Sequence, residues 1–416
     1  MPRKAPARRT PARASRIASL QNPFEYGREL GPDELADRVA EVAEATRAML
    51  EGRKLFLIGP RRYGKTSILR VAELAAIDAG ALILRYDASA FPSVDALTAR
   101  IATDAAVAFA GGADRILRAV KSLFGALRPT VSIDLDSGAP TITFEGRGGS
   151  AAQGGPIPLL TDVLDGIEAA AIKQKRRVAV VFDEFQEIVE TGGERSGGEK
   201  AEEQIRAAVQ RHKHVGYVFA GSNTRLLTEM TTTHGRAFFN LGDKRFLGVV
   251  PRPDFTALLE RGFATGAISA EGGALETILD LAEDVPYTVQ LLARACWDTC
   301  RATTPTGGKP VPLTSGLVAK VHERIVREYD PSFSIVWEGI TLTQRTALRA
   351  LVQTGGVGLS SADVSRRYRI GVSTLRTALI SLKQQGILRD DPTLGVAHTR
   401  FEDPLFGAWV RLVINP

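Results

Sequence analysis

The sequence predicts an α/β protein built on a parallel β-sheet, because two apolar strand-length runs each end in a polar loop. Residues 55–58 (LFLI) lead into a glycine-containing loop, which a helical pattern at 67–79 follows. Residues 178–182 (VAVVF) form the second run, which ends in two acidic residues. Uninterrupted apolar runs are typical of strands that are buried on both faces, as parallel strands usually are. We therefore expect a parallel five-stranded sheet flanked by helices.

The loop after the first strand has the spacing of a phosphate-binding P-loop, GPRRYGKT. Gly64 has no side chain to keep the backbone away from phosphates. Lys65 can reach the β- and γ-phosphates, and the Thr66 hydroxyl can bind Mg²⁺. A plain glycine turn with a basic residue is the alternative, and the flanking strand and helix disfavour it. The expected nucleotide-binding residues of this segment are Gly59, Pro60, Arg61, Arg62, Tyr63, Gly64, Lys65, Thr66 and Ser67.

The second apolar run supplies the carboxylates that a nucleotide site needs. Asp183 stands at the carboxyl end of the strand, where ligands bind in open α/β sheets. It is the candidate Walker B aspartate that holds Mg²⁺ directly or through water. Glu184 is the candidate base that orients or deprotonates the attacking water. Alone, the pair would be read as a solvated acidic strand end, but the P-loop in the same chain favours the metal site.

Composition limits the class of protein. The chain has 416 residues, 44% hydrophobic and 24% charged, which is ordinary for two or three soluble domains. The six basic residues within 1–20 account for the whole net charge of +6. This Pro/Ala/Arg tail is expected to be disordered and has no apolar stretch of a secretory signal. Cys296 and Cys300 provide no disulfide framework, so we expect a cytoplasmic protein without a membrane span.

Further strands complete the expected core, residues 21–250. Residues 81–86, 215–220 and 244–250 read as strands, and the strand at 215–220 ends near Ser222 and Asn223. A polar residue there can contact the γ-phosphate or the attacking water. Lys65 and Asp183 lie so far apart that an insertion, residues 110–158, must separate them. Its segments 131–135 and 141–144 alternate in polarity and predict a β-hairpin.

The C-terminal part predicts a helical lid at 251–335 and a winged helix at 336–416. Residues 361–369 and 373–385 have the rhythm of a helix-turn-helix, with Ser373 as the expected N-cap of the second helix. Thr374, Arg376, Thr377 and Lys383 would face outward from that helix. A winged helix of this kind could read the major groove of DNA or pack against the ATPase core. With two basic residues on the exposed face, packing is the favoured alternative.

Seven segments together resemble the archaeal-type ATPases of the STAND class, which are related to AAA+ proteins and origin-recognition ATPases. The resemblance covers about residues 22–412, and GPRRYGKTS together with DEFQ is its most specific part. DEFQ lies within the segment VVFDEFQEI, and the supporting segments are NPFEYGREL, FAGSN, GRAFFNLG, VPYTVQLLA and FEDPLFGAWVR. The resemblance implies an ASCE-type P-loop core, a helical lid and a winged helix, with ATP as the nucleotide.

The same resemblance assigns expected roles outside the P-loop. Phe24 and Tyr26 match the upstream segment that lines the adenine pocket, and Pro286 matches the lid proline that contacts the nucleotide. The family's usual glycine two residues before that proline is Asp284 here. Arg236 matches the position of the arginine finger, and Arg294 is a weaker candidate for a second sensor.

The sequence is compatible with three functions. The first is an Mg²⁺- and ATP-dependent molecular switch with slow hydrolysis, in which Ser222 or Asn223 senses the γ-phosphate. The second is a DNA-binding ATPase of the initiator or transposition-helper type that uses the winged helix and the basic tail. The third is a nucleotide-binding scaffold that docks a partner protein and scarcely hydrolyses ATP. If Arg236 acts between subunits, the active form is an ATP-dependent homo-oligomer.

Overall fold

A computed structural model describes residues 21–110, 129–133, 140–144, 160–190, 198–302, 310–359, 361–391 and 398–414. The expected basic tail and much of the 110–158 insertion lie outside these residues. The described chain divides into two compact units. The core unit is Glu29–Leu247, and the C-terminal unit comprises the described residues up to Arg28 and from Gly248 onward.

The bounds of the elements are as follows. The strands are β1 Lys54–Ile58, β2 Leu82–Asp87, β3 Pro129–Ile133, β4 Pro140–Phe144, β5 Val178–Asp183, β6 Val215–Gly221, β7 Asp243–Phe246, β8 Leu388–Asp391 and β9 His398–Phe401. The core-unit helices are α1 Val39–Leu50, α2 Lys65–Asp78, α3 Val94–Ala110, α4 Leu160–Gln174, α5 Gln186–Glu190, α6 Gly198–Arg211 and α7 Thr224–Thr232. The C-terminal unit has α8 Arg252–Thr265, α9 Ala274–Leu281, α10 Pro286–Ala302, α11 Ser315–Glu328, α12 Asp330–Gly339, α13 Leu342–Thr354, α14 Ala362–Tyr368, α15 Val372–Gln384 and α16 Pro404–Trp409.

The core unit is a parallel five-stranded sheet with the strand order β2-β5-β6-β1-β7. This confirms the α/β class and the five strands expected from the sequence. Because all five strands run in one direction, their carboxyl ends form one edge of the sheet. The central strands β5 and β6 are buried at every residue, which explains their continuous apolar sequences. The hairpin of β3 and β4 is also present, as predicted, but outside this sheet.

Helices cover both faces of the sheet, and side-chain alternation along the strands divides the core between them. One face is aromatic: Phe219 stacks on Phe182 and Phe56, with ring centroids 5.7 and 4.9 Å apart. The other face packs the alanine-rich sides of α1 and α2 against small and branched residues of the strands. Gly216 lets the backbone of α1 approach β6, because a Cβ there would collide with Ala48. The side chains that fill the core are therefore larger on the aromatic face of the sheet than on the alanine-rich face.

The C-terminal unit is helical apart from one antiparallel hairpin, β8–β9. Helices α13, α14 and α15 precede this hairpin, in the order that the sequence predicted. The expected N-cap at Ser373 is wrong, because α15 begins one residue earlier, at Val372, and Gly371 occupies the cap position. Thr374, Arg376 and Thr377 are exposed on α15, whereas Lys383 is half-buried. Among the described residues, no helix combines the length and the apolar character that crossing a membrane requires.

The segment 21–28 packs within the C-terminal unit. The ring of Phe24 is buried against Phe263 at a centroid distance of 4.9 Å. Gly262 makes room for it, since a Cβ at that position would overlap the ring. Arg294 of α10 donates to the carbonyl oxygen of Phe24 at 2.9 Å, and Asn22 donates to the Asp298 carboxylate at 2.8 Å. This short segment is thus fixed to α8 and α10.

A matched pair of glycine substitutions tests this packing. Gly262→Ala places a methyl group where the Phe24 ring lies, so we expect unfolding free energy to fall by about 1–3 kcal/mol. Gly316→Ala, in a helix where a Cβ meets open space, should raise it by about 0.5 kcal/mol. Denaturant unfolding of both variants measures the difference. Equal effects of the two substitutions would contradict the proposed fit of Phe24.

Candidate functional site

The loop between β1 and α2 has the shape that its glycines allow. Gly59 follows β1 and lies very close to Leu247. A Cβ on Gly59 would be only 2.7 Å from the Leu247 Cβ. Gly64 precedes α2 with a φ of +83°, a left-handed conformation that glycine adopts without strain. Arg62 is also left-handed, with a φ of +68°. The loop therefore curls and delivers Lys65 at the first turn of α2, where backbone N–H groups attract anions.

Lys65 is turned back onto its own loop. Its ammonium group donates to the carbonyl oxygens of Gly59 at 2.9 Å and Pro60 at 2.8 Å. Its side chain is buried, so these contacts replace the hydration that the charge would otherwise have. Ser67 is buried beside it and its hydroxyl accepts from the backbone N–H of Leu30 at 3.0 Å. A cation held at the mouth of an anion-binding helix terminus is the arrangement that phosphate binding requires.

The sheet order brings the predicted site residues to one edge. The P-loop follows β1, Ser222 and Asn223 follow β6, and Asp183 ends β5, and these three strands are neighbours. Arg61 also reaches this edge, with its Nε 3.5 Å from the Ser222 hydroxyl. Arg62 is exposed, whereas the Tyr63 side chain is buried. Thr66 lies in the first turn of α2 and is half-buried.

Glu184 is held by hydrogen bonds from the neighbouring strand end. Its Oε2 accepts from the Ser222 hydroxyl at 2.7 Å, the Ser222 backbone N–H at 3.1 Å and Gln186 Nε2 at 2.6 Å. Burial raises the pKa of Glu184, but these donors and the Lys65 charge outweigh it and hold the pKa below its usual value. The carboxylate is therefore charged at neutral pH, with one oxygen committed to Ser222 and Gln186.

The two sensor candidates have different contacts. Ser222 touches Glu184 directly, as described above. The Asn223 side chain instead caps α7 by accepting from the Leu226 backbone N–H at 3.0 Å. Asn223 thus has a structural role as a helix cap. Ser222 is the better placed of the two to respond to a change at Glu184.

Asp183 is buried and its two oxygens have different partners. Oδ1 accepts from the backbone N–H of Glu184 at 3.1 Å, and Oδ2 lies 3.1 Å from Arg85 Nη2. Burial raises the pKa of Asp183, and the Arg85 charge opposes that rise. The same guanidinium lies 2.9 Å from Glu29 and 3.4 Å from Glu73. Three carboxylates therefore surround one arginine behind the P-loop helix.

Sequence reasoning missed three residues of this site, Arg85, Glu73 and Gln186. Arg85 is a charged residue in the middle of β2, directly after the apolar residues Leu82–Leu84, and Glu73 lies on the buried side of α2. A charge at a position whose neighbours are apolar is the signal that could have found both. Gln186 belongs to the DEFQ segment, and the collision that a Cβ on Gly221 would make with its amide shows how closely it packs beneath the site.

The other expected site residues have partners of their own. Arg236 lies 3.1 Å from Glu202 within the core unit. Phe24, Tyr26, Pro286 and Arg294 belong to the C-terminal unit, where Tyr26 meets Tyr287 edge-on at 5.5 Å and Pro286 begins α10. Their expected nucleotide contacts remain predictions.

The turn before Pro286 contains two left-handed residues. Asp284 is left-handed there, with a φ of +56°, and Glu283 precedes it at +50°. Such a backbone suits glycine and strains other residues. Arg252 donates to the Asp284 carboxylate at 3.1 Å and lies 2.8 Å from Asp280, so this chain holds the turn by ion pairs.

A magnesium ion suits the donors at the sheet edge. The Arg85 guanidinium stands beside Asp183 as a cation, which shows that this carboxylate is arranged to face positive charge. Within the described ranges, no cluster of three or more His, Cys, Asp or Glu side chains could hold a metal by itself. A metal at this edge would therefore be shared between Asp183, the Thr66 hydroxyl and phosphate oxygens.

Comparison with known proteins agrees with this architecture. No protein-family model matches the chain, and no curated protein matches it. Among solved structures, the Walker-type ATPase of Pyrococcus abyssi superposes with a TM-score of 0.60 at 15% identity, covering 94% of this chain and 100% of that one. The Orc2 protein of Aeropyrum pernix, solved as ADPNP–ADP complexes, gives 0.55 at 16% identity and covers 95% and 97%. The chain therefore has the fold of the archaeal Walker-type and origin-recognition P-loop ATPases.

The buried Glu73 predicts a pH effect on stability. Burial raises the pKa of Glu73 from 4.5 to about 7, and the Arg85 charge opposes that rise. Between these values the folded state keeps the proton and the unfolded state releases it, so stability falls as pH rises from about 4.5 to 7. Glu73→Gln cannot lose that proton, and we expect it to gain about 2 kcal/mol over wild type at pH 8, but not at pH 4.5.

Denaturant unfolding at the two pH values measures this gain. The exposed Glu203→Gln is the control and should show no pH-dependent difference. A gain for Glu73→Gln that is equal at both pH values would contradict a raised pKa.

Proposed function

We propose that this protein is an Mg²⁺-dependent ATPase that acts as a molecular switch. The observation that carries the proposal is the convergence of Lys65, Asp183, Glu184 and Ser222 on the carboxyl ends of three neighbouring strands. Lys65 and the N-terminus of α2 bind the phosphates, and the Thr66 hydroxyl and Asp183 hold the metal. Mg²⁺, when bound, offsets the negative charge of the phosphates. ATP as the nucleotide follows from the resemblance to STAND-class ATPases.

Glu184 is the proposed base, and its contacts suggest why turnover would be slow. A carboxylate that accepts three hydrogen bonds at one oxygen is a weak acceptor for the proton of a water. Loss of the Ser222 contact would make Glu184 Oε2 more basic. A γ-phosphate that draws the Ser222 hydroxyl away would do this, so the same contact both senses the nucleotide and prepares the base. Such a differential contact is what a ligand needs in order to shift a conformational equilibrium.

Arg236, Phe24 and Tyr26 are proposed to have the roles that the sequence predicts for them. Arg236 would act as the arginine finger, in an ATP-dependent homo-oligomer if it acts between subunits. That role requires the guanidinium to leave Glu202, which now lies 3.1 Å away. Phe24 and Tyr26 would line the adenine pocket, and a partner protein would respond to the switch. Cytoplasmic location remains part of this proposal.

Two substitutions test the proposed ATPase. Glu184→Gln keeps the shape of the side chain but removes its basicity, so we expect ATP to bind while turnover falls at least about tenfold. Lys65→Ala should lose nucleotide binding itself. Turnover of ATP and binding of a fluorescent ATP analogue measure the two effects. Glu203→Gln is the charge-matched surface control, and near-normal turnover by Glu184→Gln would remove Glu184 from its role.

DNA binding is the second candidate function, and the exposed face of α15 favours it. Thr374, Arg376 and Thr377 are exposed together on that helix, while Lys383 is paired with Asp390. If the C-terminal helices and hairpin act as a winged helix, this face would enter the major groove. The net positive charge of the 1–20 segment would add attraction to phosphates that depends on salt.

Duplex-DNA binding, measured by anisotropy over a salt series, tests this function. We expect Arg376→Ala to weaken binding at least about threefold and to reduce the salt slope by about one. Arg225→Ala, an exposed arginine of the core unit, is the control and should have no effect. If deletion of residues 1–20 abolishes binding while Arg376→Ala changes nothing, α15 does not read DNA.

A further inference from the structure

Arg85 is a charged residue within β2 that touches the proposed metal carboxylate. Its Nη2 lies 3.1 Å from Asp183 Oδ2 and 2.9 Å from Glu29 Oε1, and its Nη1 lies 3.4 Å from Glu73 Oε2. In-register pairing of β2 with β5 sets this position, because Arg85 lies opposite Val181, two residues before Asp183. The contact is therefore fixed by the sheet.

The burial of these groups makes the arginine necessary. The Asp183 and Glu73 side chains are only 6% and 5% exposed, and a buried carboxylate without a counter-charge is costly. Arg85 is the cation that lies beside Asp183. In P-loop enzymes Mg²⁺ bridges the phosphate oxygens of the nucleotide and the Walker B aspartate, so a metal bound here would face the same carboxylate as Arg85.

We propose that Arg85 is an internal counter-cation of Asp183, with which Mg²⁺ must compete for that carboxylate. The inference rests on the proposed function, since it takes Asp183 to be the metal carboxylate. Arg85 is a positioning residue, because it acts through the Asp183 carboxylate.

The three-carboxylate arrangement makes the release of Asp183 feasible. The planar guanidinium has several donors, so it can leave Asp183 and still be paired with Glu73 and Glu29. Glu73 is then a competitor that draws Arg85 away from the metal site. Removing the Glu73 charge should tighten the hold of Arg85 on Asp183, whereas removing Arg85 should leave Asp183 without a competing cation.

The experiment is a double-mutant cycle on the Mg²⁺ requirement for nucleotide binding. A fluorescent ATP analogue is titrated with Mg²⁺ at pH 8, where Glu73 is ionised, and the half-saturating Mg²⁺ concentration is the readout. Arg85→Gln should lower this concentration by about threefold or more, and Glu73→Gln should raise it by about twofold. Arg85→Lys, which keeps the charge, should remain closer to wild type than Arg85→Gln.

The double variant separates competition from a general effect of charge. If Glu73 acts through Arg85, Glu73→Gln should change the Mg²⁺ requirement little once Arg85 is Gln. Two purely electrostatic effects would add in the double variant, and additivity would overturn the proposal. The double variant also loses one charge of each sign, so Arg85 removal can be measured in the Glu73→Gln background if Arg85→Gln alone does not fold.

The remaining outcomes distinguish this inference from the proposed function. An unchanged or higher Mg²⁺ requirement in Arg85→Gln, with Mg²⁺-dependent binding intact in wild type, overturns the role of Arg85 alone. If wild type binds the analogue no better than Lys65→Ala does, the proposed function fails and this inference fails with it.

Discussion

The burial of several charges at one edge of the sheet is the constraint on which the rest of the site depends. Lys65, Glu73 and Asp183 are each almost fully removed from water. A buried charge is tolerated only when it is paired or hydrogen-bonded. Lys65 meets this condition with two loop carbonyls, and the two carboxylates meet it with Arg85. Each of these buried groups is therefore paired or hydrogen-bonded within the protein, and a ligand must exchange these contacts for its own.

The aromatic core beneath the site holds the backbone in the form that this exchange requires. Phe185 is fully buried and its N–H donates to the Ala220 carbonyl at 2.8 Å. Glu184, one residue earlier, has a φ of +46°, which is unfavourable for a glutamate. The turn is maintained because β5 ends at Asp183 and Phe185 must enter the core directly afterwards. The strain is thus held by packing, and its effect is to direct Glu184 toward Ser222 instead of into the sheet.

Local signals predicted the parts of the site that depend on neighbouring residues in the chain. The P-loop and the Asp183–Glu184 pair were visible because strand, loop and helix follow one another within a few residues. Arg85 was missed because its partners come from α2, β5 and the segment before α1, and only the strand order β2-β5-β6 makes them neighbours. The packing of Phe24 on α8 was missed for the same reason, since no local pattern marks a contact made some 240 positions away. The predicted cap of α15 was wrong for a different reason: Gly371 and Ser373, two positions apart, are both able to cap a helix, and the helix begins directly after Gly371.

Left-handed residues other than glycine occur at a proposed functional position in each unit, and each is stabilised in a different way. Glu184 is held by the buried ring that follows it and by its hydrogen bonds to Ser222. Asp284 is held by Arg252, which donates to its carboxylate. A left-handed aspartate costs on the order of 1 kcal/mol more than glycine, which is within what a well-placed ion pair contributes. The conformation of Asp284 therefore depends on Arg252, and so does the turn that precedes Pro286, the first residue of α10.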